Sequence, residues 1–276
     1  MLATLFLDLQ NKQEEQHFIT TLSSSLSKRN VQIHTIKPDT IPPAISKQDC
    51  LLICDSPKGL LFYKQQDFYC VGYSPTIEFL PVSYCFEDIN SITYTYLSNI
   101  LSRYKKEPIH ILDTPRLQIQ ELCEKDLPSL YRIYQQPGIL TYMNDVLENY
   151  SSFHEKWNAY INRIYTFYDY GIWGVFLKET NTLIGQCGIQ SVMINDNEEI
   201  ELGYLLSQQY QKNGYGKEMI TAVLQYAKTQ LSFNRIVAQI APENKASIAL
   251  AQKCGMSFQE IISSSKQQNT LLLYSI

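Results

Sequence analysis

The chain has 276 residues, of which 45% are apolar and 18% are charged, and its formal net charge is −4. This composition is normal for a globular protein, and the length predicts two domains at roughly 100–200 residues each. The charge lacks the basic excess typical of nucleic-acid or anionic-membrane binding, and no apolar run reaches the about 18 residues that span a bilayer, so we expect neither partner.

The first part of the chain alternates short apolar runs with polar helical stretches. These patterns predict strands at residues 4–8, 31–36, 50–54 and 67–71, and helices at residues 14–27 and 89–104. The alternation is typical of a small Rossmann-like α/β domain with a parallel sheet. A polar segment that ends at Pro108 follows the last helix, and its proline cannot continue that helix. We therefore predict two domains, at residues 1–106 and 107–276.

The pattern restarts after this boundary. It predicts strands at residues 116–121, 173–178, 183–191, 199–206, 235–240, 257–262 and 269–275, and helices at residues 124–134, 151–168, 216–230 and 245–253. Turn signals join the three strands between residues 173 and 206, which predicts an antiparallel meander.

The 7 cysteines contain no C-x-x-C pair, which argues against a disulfide framework or a zinc site. Free thiols in apolar contexts are typical of a reducing compartment. We therefore expect a cytoplasmic protein with no metal ion.

The segment with the clearest chemical signal is a strand that runs through a glycine-containing loop into a helix. Gln211, Gly214 and Gly216 lie in this loop. Amide N–H groups at a helix start have no intrahelical partners and can hold a pyrophosphate. The spacing fits neither the G-x-G-x-x-G dinucleotide fingerprint nor a P-loop, and a tight turn without a ligand remains the alternative for the loop alone.

Together with a second block, the loop resembles the acetyl-CoA-binding signature of the GNAT superfamily of N-acetyltransferases, Q/R-x-x-G-x-G/A. In the second block Asn244 and Ser247 match the family's N-x-x-S, and K-x-G-F follows with Met256 in place of phenylalanine. The resemblance covers residues 111–276 and is nearest to the ribosomal-protein and spermidine acetyltransferase branches. It implies a splayed, mixed and largely antiparallel sheet with flanking helices and a bulge in the fourth strand, which we place near residues 205–207.

The resemblance also implies the residues that bind acetyl-CoA. The strand end would hold the pantetheine arm and the loop would hold the pyrophosphate, and the second block would add two contacts. These residues are Leu205, Leu206, Ser207, Gln211, Lys212, Asn213, Gly214, Tyr215, Gly216, Lys217, Asn244 and Lys253.

Amine attack on a thioester needs a proton acceptor and a proton donor for the leaving thiolate. Glu199 and Glu201 lie two residues apart, so they share one strand face, and we prefer Glu201 as the base. The alternative for both is a solvated face or an ion pair. Many relatives protonate the thiolate with a tyrosine whose position here is Ala251, so we name Ser247 as the donor, with an ordinary first-turn helix residue as the alternative.

An aromatic-rich segment lies where the family forms its acceptor pocket. We predict that Tyr142, Tyr170 and Trp173 contact the substrate, and the alternative is that the aromatic residues belong to the core.

Residues 50–104 have a weaker resemblance to the late part of haloacid-dehalogenase-type hydrolases, and Asp8 lies on a strand similar to their nucleophile strand. Gln10 replaces the second aspartate of their D-x-D pattern, so we interpret this domain as non-catalytic.

Three functions follow from these patterns. The first is an N-acetyltransferase that uses acetyl-CoA and acts on a primary amine of a small molecule or a protein N-terminus. The second is a catalytically weak sensor that binds acetyl-CoA. The third is a phosphohydrolase, against which Gln10 argues. A homodimer is left open.

Overall fold

The computed structural model describes residues 1–42, 47–76, 79–143, 149–263 and 270–276. Contacts between Cα atoms divide the chain into two compact units, Met1–Ile109 and His110–Ile276. Each unit has its own sheet and its own apolar core. Among the described residues, no helix combines the length and the hydropathy needed to cross a membrane.

The first unit is a parallel sheet with interspersed helices. Its strands are β1 (Thr4–Asp8), β2 (Gln32–Thr35), β3 (Cys50–Cys54), β4 (Cys70–Tyr73) and β5 (Cys85–Phe86), and its helices are α1 (Lys12–Ser27), α2 (Pro57–Gln65) and α3 (Tyr94–Tyr104). The strand order is β2-β1-β3-β4-β5, and every neighbouring pair is parallel. Every residue of β1 and β3 is buried, as expected for strands covered on both faces.

Some elements of the first unit differ from the prediction. The helix α2 and the strand β5 were not predicted, since β5 has only two residues and shows no alternation. The strand predicted at residues 67–71 lies at Cys70–Tyr73, because Asp67 has a left-handed φ of 59° in the turn after α2. The last helix begins at Tyr94 because a 3-10 turn occupies Ile89–Ser91.

The second unit is a mixed sheet with helices on both faces. Its strands are β6 (His110–Asp113), β7 (Leu117–Gln120), β8 (Ile172–Leu177), β9 (Thr182–Ile194), β10 (Asn197–Leu206), β11 (Val237–Ile240), β12 (Ser257–Ser263) and β13 (Thr270–Ser275). Its helices are α4 (Leu127–Tyr134), α5 (Tyr150–Tyr168), α6 (Tyr215–Thr229) and α7 (Lys245–Lys253). The order is β12-β13-β11-β10-β9-β8-β7-β6, and only β10 and β11 pair in parallel along the described strands.

This architecture confirms the predicted fold class, a largely antiparallel mixed sheet with flanking helices preceded by a small parallel α/β unit. The meander of β8, β9 and β10 is also confirmed. The strand β6 was not predicted. Residue 269, which the last predicted strand included, lies outside the described residues, and β13 begins at Thr270.

The two faces of β10 enter different cores. Leu202 and Leu206 pack in the core that contains Met219 and Ile220 of α6, whereas Leu205 packs with residues of α4 and α5. Since side chains alternate along a strand, residues 199, 201 and 203 share the face of Leu205. The candidate bases therefore lie on the face opposite α6.

Candidate active site

The strands β10 and β11 separate shortly after they meet. Along their described lengths they pair at one position, Glu201 opposite Val237. Beyond Glu201, β10 continues to Leu206 and pairs on its other side with β9. The backbone edge of β10 that faces β11 is therefore open, as expected of a splayed sheet.

The predicted bulge is absent from these residues. The register of β10 with β9 runs from Asn197 opposite Ile194 to Leu206 opposite Gly185 with no shift. The prediction near residues 205–207 was therefore wrong for the strand itself. Divergence from β11, rather than a bulge, ends the pairing on this edge of β10 beyond Glu201.

The residues at the end of β10 have buried side chains, and part of their backbone is already bonded, since the Ser207 N–H donates to the Ile184 carbonyl at 2.8 Å and the Leu206 carbonyl accepts from Gln211. Leu205, Leu206 and Ser207 are 8%, 9% and 1% exposed. The Ser207 hydroxyl accepts a hydrogen bond of 3.1 Å from the Gln136 amide, whose oxygen accepts from the Gln208 backbone N–H at 2.9 Å.

The loop between β10 and α6 is shaped by its own amide side chains. Gln211 donates to the Leu206 carbonyl at 2.8 Å, and Asn213 donates to the Gln211 carbonyl at 3.1 Å. Lys212 has a left-handed φ of 61°. These side chains therefore fix the loop conformation, while the Lys212 side chain is exposed.

The helix α6 begins without a side-chain cap. Its N-cap is Gly214, with a φ of 83° that L-residues other than glycine adopt only with strain, and no side-chain hydrogen bond caps the helix start. The first four amides of a helix have no intrahelical partners and carry the positive end of the dipole. Gly214 and the exposed Lys217 line a groove of about 470 Å³ beside this start, and Asp113 and Glu218 also line it. The amides of the helix start and the lysine suit a diphosphate, whereas the two carboxylates oppose one.

Gly216 has a packing role in addition to the ligand contact that we predicted. A Cβ at this position would lie 3.0 Å from Cδ2 of Leu250 on α7. The small residue therefore lets α6 pack against α7.

Glu201 is held by two neutral amides on the neighbouring strands. Gln190 on β9 donates to its Oε2 at 3.1 Å, and Gln239 on β11 donates to its Oε1 at 3.0 Å. The side chain is half-buried at the point where β10 and β11 separate.

Glu199 has a cationic partner instead. Nε of Arg235 donates to both of its carboxylate oxygens at 3.1 Å. The ion-pair alternative therefore describes Glu199, and the two carboxylates have different surroundings although they share a face.

The helix α7 places Asn244 and Ser247 at its start. The Asn244 side chain caps the helix by accepting from the Ser247 backbone N–H at 3.1 Å. The Tyr204 hydroxyl of β10 donates to the Ser247 carbonyl at 3.3 Å, and burial raises the pKa of Tyr204 to about 12. Ala251, one turn further, is fully buried in the core.

Lys253 is exposed in the last turn of α7. The nine-residue helix separates it from Asn244 by about 13 Å at a rise of about 1.5 Å per residue. The structure therefore does not bring these two predicted contacts together.

The three aromatic residues predicted to contact substrate are also dispersed. Tyr142 is 46% exposed after α4. The ring of Tyr170 packs edge-on against Phe233, with centroids 5.3 Å apart. Trp173 is fully buried and packs edge-on against Tyr226 of α6, so its assignment to an acceptor pocket was wrong. Trp173 belongs to the core, as the alternative stated, because β8 directs this side chain toward α6.

Sequence reasoning missed several residues that shape the site: Arg116, Gln136, Gln190, Tyr204 and Gln239. Gln190 and Gln239 bond Glu201 from neighbouring strands, and only strand pairing could have shown this. Tyr204 follows Gly203 in a strand end that resembles the family's Gly-Tyr pattern, and this pattern could have identified it. Within the described part of the chain, no three His, Cys, Asp or Glu side chains are grouped to hold a metal ion.

Sequence comparison identifies relatives of the second unit. The chain is 29% identical over 152 residues to the uncharacterized protein YkkB of Bacillus subtilis (strain 168), which covers 55% of this chain and 87% of YkkB. It is 26% identical over 148 residues to the [ribosomal protein uS5]-alanine N-acetyltransferase of Escherichia coli (strain K12), which covers 52% of this chain and 76% of that protein.

Solved structures share the fold of the second unit. An acetyltransferase from Agrobacterium tumefaciens str. C58 superposes with a TM-score of 0.52 at 25% identity and covers 61% of this chain and 94% of its own. The ribosomal L7/L12 alpha-N-protein acetyltransferase RimL, solved in complex with coenzyme A, superposes with a TM-score of 0.53 at 14% identity. The superposition covers 61% of this chain and 97% of the RimL chain.

The family model described as "Acetyltransferase (GNAT) domain" matches residues 116–257, which is more than half of the chain. The matched residues include the open edge of β10, the uncapped start of α6 and the α7 helix. The chain therefore belongs to the GNAT acetyltransferase family.

Proposed function

We propose that this protein transfers an acetyl group from acetyl-CoA to a primary amine in the cleft between β10 and β11. The observation that carries the proposal is the separation of these strands at Glu201, shortly before a helix start without a side-chain cap. The open strand edge offers backbone groups to a pantetheine arm, and the helix start offers amides to a pyrophosphate. A relative named as a ribosomal-protein alanine N-acetyltransferase supports an amine acceptor, on a protein N-terminus or a small molecule.

Glu201 is the proton acceptor in this proposal. Two neutral amides donate to it from the neighbouring strands and leave its negative charge in place to attract an ammonium group. A half-buried carboxylate attracts a cationic amine and can then take its proton, directly or through a water molecule. Glu199 is less suitable, because Arg235 already neutralises it.

Backbone N–H groups on the open edge of β10 polarise the thioester carbonyl. The Ser247 hydroxyl, in the first turn of α7, donates a proton to the departing thiolate. The raised pKa of Tyr204 keeps its phenol protonated near the same turn. Lys253 and Tyr142 are exposed, and we keep them as secondary candidates for contacts with the nucleotide and the acceptor.

An acetyl-transfer panel tests the proposal with the full chain, radiolabelled acetyl-CoA and three acceptors. The acceptors are a peptide that begins with alanine, the same peptide with a blocked N-terminus, and spermidine. We expect label on at least one free amine and none on the blocked peptide. Binding of coenzyme A in calorimetry without transfer to any amine would favour the acetyl-CoA-binding sensor. Failure to bind coenzyme A would remove the proposal.

A further inference from the structure

Arg116, directly before β7, connects the end of the loop before α6 to the first turn of that helix. Its Nε and Nη2 each lie 2.7 Å from Oε2 of Glu218, and its Nη1 donates to the Asn213 carbonyl at 3.1 Å. Its guanidinium stacks on the ring of Tyr215, 4.2 Å from the centroid. One side chain, about one hundred positions earlier in sequence, therefore contacts the residues on both sides of Gly214.

Glu218 is a carboxylate in the first turn of α6, where an anionic ligand would bind. Its Oε1 accepts from the Thr114 hydroxyl at 2.6 Å and from the Arg116 backbone N–H at 2.9 Å. Burial opposes its ionisation, but these bonds and the guanidinium outweigh burial and lower the pKa of Glu218. The group is therefore charged at neutral pH.

A fixed negative charge at this position acts against the proposed function in two ways. It repels a diphosphate at the same helix end, and it interacts favourably with the same positive dipole. Both effects are reduced when a cation binds the carboxylate and turns it toward β7. The Arg116 side chain supplies that cation, and it also contacts the Asn213 carbonyl and the Tyr215 ring.

We propose that Arg116 is a positioning residue for the pyrophosphate of coenzyme A, which acts by neutralising Glu218 and by holding the loop at Asn213. This inference rests on the proposed function, because it requires that coenzyme A bind at α6. Arg116 needs no direct contact with the phosphates. Its effect reaches the ligand through the amides of the first turn of α6.

The arrangement differs from an ordinary stabilising ion pair. The Arg116 side chain is 45% exposed, and ion pairs at such positions contribute little to the free energy of unfolding. We therefore expect its loss to change ligand affinity much more than the melting temperature. An exposed pair in the first unit, Lys58 with Asp39 at 3.4 Å, provides a control for the loss of one positive charge.

Calorimetry on the full chain with coenzyme A and with pantetheine tests the inference, since pantetheine keeps the thiol arm and lacks the phosphates. We expect Arg116→Gln to raise the Kd for coenzyme A by about tenfold and the Kd for pantetheine by less than about twofold. The double variant Arg116→Gln/Glu218→Gln should recover at least half of the lost binding free energy, because the repelling charge is also gone. Arg116→Lys keeps the charge without the forked geometry, and its Kd for coenzyme A should lie between those of the wild type and Arg116→Gln.

Lys58→Gln should leave both Kd values within about twofold of the wild type. An equal loss of affinity for both ligands in Arg116→Gln, or an unchanged Kd for coenzyme A, would overturn the positioning role while the proposed function stands. So would a double variant as weak as the single one. If the wild-type protein does not bind coenzyme A, both the proposed function and this inference fail.

Discussion

Asp8 in the first unit and Glu218 in the second are both shielded carboxylates, yet their pKa values are shifted in opposite directions. Burial raises the pKa of Asp8, and the 2.8 Å hydrogen bond from the Tyr63 hydroxyl does not compensate. Asp55, directly after the neighbouring strand β3, raises it further. Glu218 has a guanidinium and two further donors, the Thr114 hydroxyl and the Arg116 backbone N–H, and its pKa is lowered.

The two regions also differ in what remains open. At the carboxyl edge of the parallel sheet, Asp8 is bonded to Tyr63, and Asp55 accepts from the Gln10 backbone N–H at 2.8 Å. In the second unit the strands separate and a helix starts uncapped, so donors are left for a ligand. We infer that unused donors, rather than carboxylates alone, distinguish a candidate catalytic site from an internal polar cluster.

The largest effect is expected from Glu201→Gln, which keeps the size and removes the base. If Glu201 takes the amine proton, kcat should fall by about 10²-fold with little change in KM for acetyl-CoA. If it only attracts a cationic amine, the acceptor KM should rise while kcat holds. Glu199→Gln is the matched control, and it should cost far less because Glu199 is already paired. Wild-type kinetics and melting in Glu201→Gln would remove both roles.

Gly214→Val tests whether the open helix start binds the ligand. A β-branched residue at a φ of 83° is strained, and a Cβ would meet Nη2 of Arg116 at 3.3 Å. We expect at least a tenfold weaker Kd for coenzyme A, which is about 1.4 kcal/mol or more. Calorimetry measures this, and unchanged affinity would remove the basis for a site at α6.

Ser247→Ala should have a smaller effect, about tenfold on kcat or less. Water can also protonate a thiolate whose conjugate acid has a pKa of about 8.5, if cysteine is the reference. The loss should be greatest at high pH, where fewer other donors are protonated. A kcat equal to that of the wild type across the pH range would exclude Ser247 as the donor and direct attention to Tyr204.

The smallest effects concern stability and test the opposite pKa shifts directly. A carboxyl whose pKa is raised by folding binds more protons in the folded state than in the unfolded state. The free energy of unfolding therefore falls as pH rises from about 3.9 through the folded pKa. Asp8→Asn should therefore raise the melting temperature at pH 7, and the gain should disappear near pH 4. Each kcal/mol relieved corresponds to roughly 2–4 °C.

Glu218→Gln should change stability in the opposite direction, because a lowered pKa stabilises the fold above the unfolded value and the stabilisation is lost on acidification. Thermal unfolding at pH 4 and pH 7 compares both variants. Stability changes of equal sign at pH 7 would contradict the comparison.

Neither the wild type nor Asp8→Asn should hydrolyse phosphate monoesters with Mg²⁺. Turnover by the wild type that Asp8→Asn abolishes would restore the hydrolase hypothesis.

Much of the fold followed from local patterns. The bounds of β1, β3 and α7 match the prediction, because alternation, continuous apolar runs and helix periodicity are properties of a few adjacent residues. The Gly214 loop was identified from its glycine spacing and from the second block that begins at Asn244. Such signals are carried by the chain itself and need no knowledge of what packs against it.

Tertiary structure decided the surroundings of the functional groups. Glu199 and Glu201 lie two residues apart on the same face of β10. Glu199 nevertheless meets Arg235, whereas Glu201 meets two glutamines from different strands. Trp173 enters the core because β8 turns it toward α6, and Arg116 reaches a loop about one hundred residues away. Charge, burial and hydrogen bonding at a site depend on partners distant in sequence, and only the packed sheet determines which partners those are.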